Sequence, residues 1–165
     1  IPQVVANGTA SLGIVGLNEV AERGCDVEVV KKLGFGGCRI SLAIPKGERY
    51  DSVEYFCGKR IATSYPKILG EFLAEHGVEA DMEVITGSVE IAPAAGIADA
   101  IFDIVSSGAT LVSNGLKEVE QVFESEAVLI AILNDLQQNL FLPRKQKQKE
   151  IVEEVILSLP PDSGP

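Results

Sequence analysis

Ser106-Ser107-Gly108-Ala109-Thr110 gathers two serines, a threonine and a glycine into five consecutive residues. The stretch follows the apolar run 97–105 and precedes 111–116, which can open a helix or a helical turn. A buried strand, a short hydroxyl-and-glycine loop and a helix start together make an anion cradle. Loop amides and the helix dipole both favour negative charge at that point, the hydroxyls add donors, and a glycine lets the backbone approach a ligand closely. Asp103, three residues upstream, falls at the carboxyl end of the expected strand. A sugar phosphate needs this pairing: donors for the phosphate and a carboxylate for the ribose diol a few ångströms away. An ordinary Ser/Gly/Thr turn carries the same composition, so the loop alone leaves both readings open. Asp99 shares a strand face with Asp103 but lies roughly 13 Å away at about 3.3 Å per residue. It reads as a polar strand-start or packing residue.

The elements that position this loop follow from periodicity and punctuation. Residues 1–7 read as a short helix with Pro2 in its first turn. Residues 12–16, 27–33, 39–44, 60–63, 83–85, 97–105 and 122–132 read as strands. Residues 18–23 and 67–76 read as helices, the second with Ile68, Leu69, Phe72 and Leu73 at a period near 3.6. Residues 87–90 open a short helix toward Ala95. The alternation of strand and helix predicts an α/β class with largely parallel pairing. Ligands in such sheets sit beyond the strand carboxyl ends, which nominates the loops 15–18, 63–66, 86–90 and 106–110. Toward the C-terminus, 145–149 reads as a charged spacer or helix start. Residues 150–159 read as amphipathic, with Ile151, Val155, Ile156 and Leu159 on one face, and 160–165 as a linker.

Composition narrows the function classes. With 165 residues, 46% of them hydrophobic, the chain can build a real core. A net charge of −10 argues against nucleic acid and against anionic membrane surfaces. It does not forbid a phosphate ligand, because diffuse surface charge is screened within about 8–10 Å. Cys25, Cys38 and Cys57 fit neither a disulfide framework nor a CxxC metal pair, which points to a reducing cytoplasm. His76 stands near a helix end as a surface polar residue, so a Ser-His-Asp hydrolase has little to rest on. No apolar run is long enough to span a bilayer. The chain begins Ile1-Pro2 without an initiator Met, and we expect it to be a piece of a longer protein.

Three longer stretches carry a family resemblance. Gly58-Lys59-Arg60-Ile61-Ala62-Thr63-Ser64-Tyr65-Pro66, Gly87-Ser88-Val89-Glu90-Ile91-Ala92-Pro93 and Gly96-Ile97-Ala98-Asp99-Ala100-Ile101-Phe102-Asp103-Ile104-Val105-Ser106-Ser107-Gly108-Ala109-Thr110-Leu111 resemble ATP phosphoribosyltransferase, the family of the first step of histidine biosynthesis. Leu12-Gly13-Ile14-Val15-Gly16 and Gly34-Phe35-Gly36-Gly37-Cys38-Arg39 are similar to it as well, and the match runs in order over about 1–131. The resemblance implies a two-lobed architecture like that of periplasmic binding proteins, with the active site in the cleft. Residues 1–35 would belong to lobe I and 36–120 to lobe II with the phosphate loop. Residues 121–165 would return to lobe I and begin a truncated regulatory region.

It further implies transfer of phosphoribosyl from 5-phosphoribosyl 1-diphosphate (PRPP) to N1 of ATP, with Mg²⁺ present and pyrophosphate released. By position, Ser106, Ser107, Gly108, Ala109 and Thr110 would hold the 5-phosphate. Asp103 and Glu90 would meet the ribose hydroxyls directly or through the metal, with Asp103 the metal contact. Tyr65 would stack by the nucleotide base, Asn18 would lie on the nucleotide side, and Arg39 would face polyphosphate or stand as a plain surface arginine. The family assembles as homo-oligomers, or with a synthetase-like subunit, and its long form carries a histidine-binding regulatory domain that gives feedback. The stretch 153–160 resembles the approach to that domain.

Two positions depart from the family pattern: Ser11 and Leu17 stand where acids are usual. By the same resemblance, we expect the family's first βαβ segment to fall ahead of Ile1, outside this piece. We therefore expect no turnover from the piece alone, and an open sheet edge that promotes self-association. Two alternatives remain open at this point: a non-catalytic two-lobed module gripping a small anion, and a different PRPP-dependent transferase.

Overall fold

The computed structural model describes residues 1–8 and 12–132. Ser11 and the expected segments at 145–149, 150–159, 153–160 and 160–165 lie outside the described residues. Among the described residues no helix is long and apolar enough to cross a membrane. The chain divides into two units, Ile1–Val20 with Gly24–Phe35 and Glu126–Pro165, and Ala21–Arg23 with Gly36–Ser125.

The first unit is built on a three-stranded sheet. Strand β1 (Leu12–Gly16) and strand β2 (Val27–Lys32) flank the central strand β8 (Ala127–Ile132), both antiparallel to it. Helix α1 (Pro2–Ala6) packs Val5 against Val128 and Ile130. Gly13 allows this: a Cβ there would stand 2.9 Å from Val5 and 3.0 Å from Ile1, closer than packed carbons tolerate. Helix α2 (Leu17–Arg23) leaves the end of β1 and stops at Gly24 in the left-handed conformation, φ 57°, the usual glycine terminator.

The second unit carries a five-stranded sheet in the order β5-β4-β6-β3-β7. These strands are β3 (Cys38–Pro45), β4 (Arg60–Thr63), β5 (Asp81–Val84), β6 (Ala100–Val105) and β7 (Leu116–Ser125). Strands β5, β4 and β6 run parallel, while β3 is antiparallel to both β6 and β7. The three-stranded sheet is thus antiparallel and the five-stranded one mixed, neither of them largely parallel. The helix crossover that forces parallel pairing is present between β4 and β5 as α3 (Pro66–Glu75), but β3 inserts against β6 in the opposite sense. Glu22, grouped with this unit, accepts the Lys67 and Ile68 N–H groups at 2.9 Å each. It caps α3, whose own N-cap residue Tyr65 makes no side-chain cap bond.

Period-two alternation sorts the strand residues onto two faces. One face presents Ile40, Leu42, Ile44, Ile61 and Phe102 to Leu69 and Leu73 of α3. The other presents Ala43, Ala62, Ile101 and Val105 to Val89, Ala92 and Leu111. Asp103 lies between Ile101 and Val105, on the same side.

The single strand expected over 122–132 is two strands, β7 and β8, parted at Glu126. The register of β7 against β3 shifts twice, once between Ile40 and Ser41 and once between Leu42 and Ala43. Val122 and Val119 are the extra residues. These bulges turn the period of two into a period of three, so Glu118, Gln121 and Glu124 pair with Ala43, Ser41 and Arg39. A reading tuned to strict alternation misses such a strand. Among the described residues the other expected strands and helices are present with shifted ends, β6 starting at Ala100 and β5 ending at Val84, except that the helix expected from 87–90 toward Ala95 is only a 3-10 turn, Val89–Ile91.

Candidate functional site

Strand β6 ends at Val105, and the chain then turns through Ser106, Ser107 and Gly108 into α4 (Ala109–Ser113). Gly108 takes φ 77°, ψ −6° as the residue before α4, a conformation that suits glycine. Helix α4 has five residues, so its macrodipole is a minor source of positive potential. Loop amides and hydroxyls are the main donors available here. Ser107 Oγ accepts the Ala109 N–H at 3.4 Å, and the Thr110 carbonyl accepts Ser113 Oγ at 3.0 Å and Asn114 Nδ2 at 2.8 Å. The loop is thereby tied down from its helical side.

A cavity of about 120 Å³ opens against the loop, lined among others by Glu90, Asp103, Ser106, Ser107, Gly108 and Thr110. At about 30 Å³ per liquid water, that space suits a phosphoryl group with its nearest solvent. Glu90 arrives from a 3-10 turn, Val89–Ile91, packed on the same sheet face. The turn is entered through Gly87, φ 75°, and Ser88, φ 51°. Ser88 is the one non-glycine residue with positive φ among the described residues, and such a backbone costs on the order of 1 kcal/mol. Burial raises the Asp103 carboxyl above the ordinary aspartate range. The Glu90 charge pushes the same way, against a hydrogen bond from the Ile104 N–H. Two carboxylates that repel each other beside a donor loop form a place where a cation would be welcome.

The remaining expected residues lie elsewhere. Ala109 and Arg39 line a neighbouring groove together with Lys46, Val112 and Lys117. Arg39 grips Glu118 through both arms, Nε to Oε1 at 2.6 Å and Nη2 to Oε2 at 2.7 Å, and its Nη1 donates to the Ser106 carbonyl at 3.3 Å. The Ser41 hydroxyl donates to Glu118 Oε1 at 2.6 Å. The Arg39 and Ser41 hydrogen bonds hold the Glu118 carboxyl below the usual glutamate range. Tyr65 is 8% exposed and belongs to the core cluster beside Ile61 and Leu69, so in this conformation its ring packs and offers no open stacking face. Its N–H donates to Thr63 Oγ1 at 2.8 Å, and Ser64 Oγ donates to the Ile85 carbonyl at 2.6 Å. Those bonds tie the 63–66 loop to the end of β4 and to the end of the neighbouring β5. Asn18 is buried within the first unit. Asp99, just ahead of β6, clamps β4: it accepts the Arg60 N–H at 2.9 Å, and its own N–H donates back to the Arg60 carbonyl at 2.8 Å.

Sequence reasoning missed Ser41 and Glu118. Glu118 is one acid in a polar run, and only the β7 bulges bring it to Arg39.

Comparison with known proteins bears on the family. A sequence model described as ATP phosphoribosyltransferase matches residues 1–157. An ATP phosphoribosyltransferase of Parabacteroides distasonis is 65% identical over 131 residues, 79% of this chain and 46% of that protein. One from Bacteroides fragilis is 55% identical over 159 residues, 96% of this chain and 53% of that protein. The chain spans about half the length of the curated relatives it matches. The ATP phosphoribosyl transferase (HisG:HisZ) complex from Thermotoga maritima superposes with a TM-score of 0.81 at 26% identity, over 94% of this chain and 75% of that one. The resemblance carried by 58–66, 87–93 and 96–111 is therefore one of descent: the chain belongs to the ATP phosphoribosyltransferase family.

Proposed function

We propose that the protein carrying this chain transfers phosphoribosyl from PRPP to N1 of ATP, and that the cavity at the end of β6 receives the sugar phosphate. The observation that carries the proposal is the meeting of Glu90 and Asp103 with Ser106, Ser107, Gly108 and Thr110 around one space in a member of this family. In the reaction N1 of the adenine forms a bond to C1 of the ribose as the bond from C1 to pyrophosphate breaks, and C1 becomes cationic on the way. Such chemistry asks for positioning and fixed charge more than for a dedicated base. The loop anchors the 5-phosphate, which aims C1. Asp103 and Glu90 take the ribose hydroxyls and place negative charge near the developing cation.

Mg²⁺ fits this donor set. Magnesium binds through one or two carboxylates together with substrate oxygens and water, and among the described residues no group of three or more acidic, His or Cys side chains could hold a metal unaided. Asp103, with Glu90 beside it, would hold the ion, which when bound would neutralise the leaving pyrophosphate. Tyr65 and Asn18 belong to the nucleotide side as supports for the loops after β4 and β1, in keeping with their burial. We place assembly with further copies or with a partner subunit in the same proposal, prompted by the Thermotoga complex, and histidine feedback where the whole protein carries a regulatory domain.

Calorimetry on the full-length protein tests the reading. PRPP with Mg²⁺ should bind, and Asp103→Asn or Thr110→Ala should weaken PRPP use by about 10²-fold, the scale of losing one pre-aimed charge contact. Tighter binding of phosphate or sulfate than of PRPP would mark a simple anion binder instead. Turnover with a free base or orotate in place of ATP would mark a different transferase.

A further inference from the structure

Arg39 does not reach the cavity, yet it touches the loop that forms the cavity wall. It lines the adjacent groove and spends its donors on two targets. Nε and Nη2 clasp Glu118, and Nη1 reaches the carbonyl of Ser106. The register explains the reach: Arg39 pairs with Val105, the last residue of β6, so it stands beside the point where the loop departs. Glu118 is itself held by Ser41, a residue 1% exposed, whose Cα partner is Asp103. Ser41, Glu118 and Arg39 thus form a chain of hydrogen bonds from beneath the carboxylate site to the first peptide of the loop.

The described peptide bonds include no cis bond. In a trans peptide the C=O and the following N–H point in opposite directions. A hydrogen bond that pins the Ser106 carbonyl toward Arg39 therefore aims the Ser107 N–H away from Arg39, and Ser107 lines the cavity together with Glu90 and Asp103. An anion cradle works only when its carbonyls face away from the anion. We infer that Arg39 is a positioning residue, locked by Glu118 and Ser41, that holds the Ser106–Ser107 peptide with its N–H toward the phosphoryl group. This deepens the proposed function and rests on it. It also replaces the expectation that Arg39 itself faces polyphosphate.

The two roles predict opposite effects from Glu118→Gln, a change in a residue that lines no part of the cavity. If Arg39 were a ligand, freeing its guanidinium from a carboxylate would leave PRPP affinity unchanged or raise it. As a brace, losing the charged clasp loosens the peptide and weakens PRPP binding about tenfold. Arg39→Met should cost as much or more, and the double variant no more than the worse single one, because Glu118 acts only through Arg39. The experiment is PRPP–Mg²⁺ calorimetry on the full-length wild-type protein and these three variants. It is paired with amide exchange of the proteins saturated with PRPP and Mg²⁺, where the phosphoryl group would protect the Ser107 amide. Exchange at that amide should be faster in Glu118→Gln than in the wild type while Ile101 and Phe102 in β6 stay protected, a readout that general loosening would not give. Ser41→Ala serves as a second, milder variant if Glu118→Gln fails to fold, with the same direction expected. A wild-type protein that binds no PRPP overturns the proposed function. A wild-type protein that binds it, with Glu118→Gln equal or tighter, or with Ser107 exchange unchanged, overturns the brace alone.

Discussion

The two faces of the five-stranded sheet use the same strands for different purposes. Toward α3 the strands show Ile40, Leu42, Ile44 and Phe102, large side chains that are fully buried. The opposite face is thinner and more polar. Ala43 and Ala62 stand where the first face has bulk, and between them lie Ser41 and Asp103, with Arg39 and Glu118 at the border. One face is filled to be stable. The other leaves room, tolerates half-buried charge and spends stability on a cavity. Neighbouring residues 102 and 103 differ in role only because a strand turns them to opposite sides.

That contrast can be broken from either side. Phe102→Ala should have the largest effect on folding, about 3–5 kcal/mol in denaturant titration, and should reduce PRPP binding only as far as it unfolds the protein. Asp103→Asn should do the reverse. PRPP use falls about 10²-fold while the melting temperature rises, because a carboxylate disfavoured by burial and by Glu90 is removed. The sign is checkable against pH. The folded Asp103 pKa is raised, so its ionisation costs stability, and that cost grows as pH rises from the unfolded pKa through the folded one. The advantage of Asp103→Asn should therefore be full at neutral pH and fade toward about pH 3.9 and below.

Glu118 gives the opposite and smaller trend. Its folded pKa is lowered by Arg39 and Ser41, so its contribution is present above the unfolded value of about 4.3 and is lost as pH falls through the depressed one. Wild type and Glu118→Gln should converge in stability in strong acid and separate above pH 5. Ser88→Gly should have the smallest effect. Relieving φ 51° should stabilise by up to about 1 kcal/mol, and any loss of activity should appear as a raised KM for PRPP, from a less firmly aimed Glu90.

Legibility in the sequence followed the range of the interactions. The loop 106–110 and Asp103 are contiguous, so their composition and spacing announced them. The strand-end rule nominated the loop 86–90, but the role of Glu90 came only through the family resemblance, since nothing local ties residue 90 to residue 103. The spacing of Asp99 set it apart from the ligand side but left strand start and packing both open. The antiparallel insertion of β3 was not readable, because strand and helix alternation says nothing about which edge a strand joins. The burial of Tyr65 and Asn18 also escaped a reading that took residues after strand ends as open to a ligand. Glu118 stayed hidden because its partner is 79 residues away.

The two extra valines of β7 set the phase of everything beyond them. Because Val119 and Val122 each add one residue opposite β3, every third position from 118 to 124 looks the same way. Each valine is a spare residue with no partner on β3, so deleting either one would close its bulge and leave Glu118 opposite Ala43. The strand would return toward strict alternation there, and Arg39 would keep its counter-ion. A missing codon at either valine is thus absorbed by the bulge before it reaches the clasp.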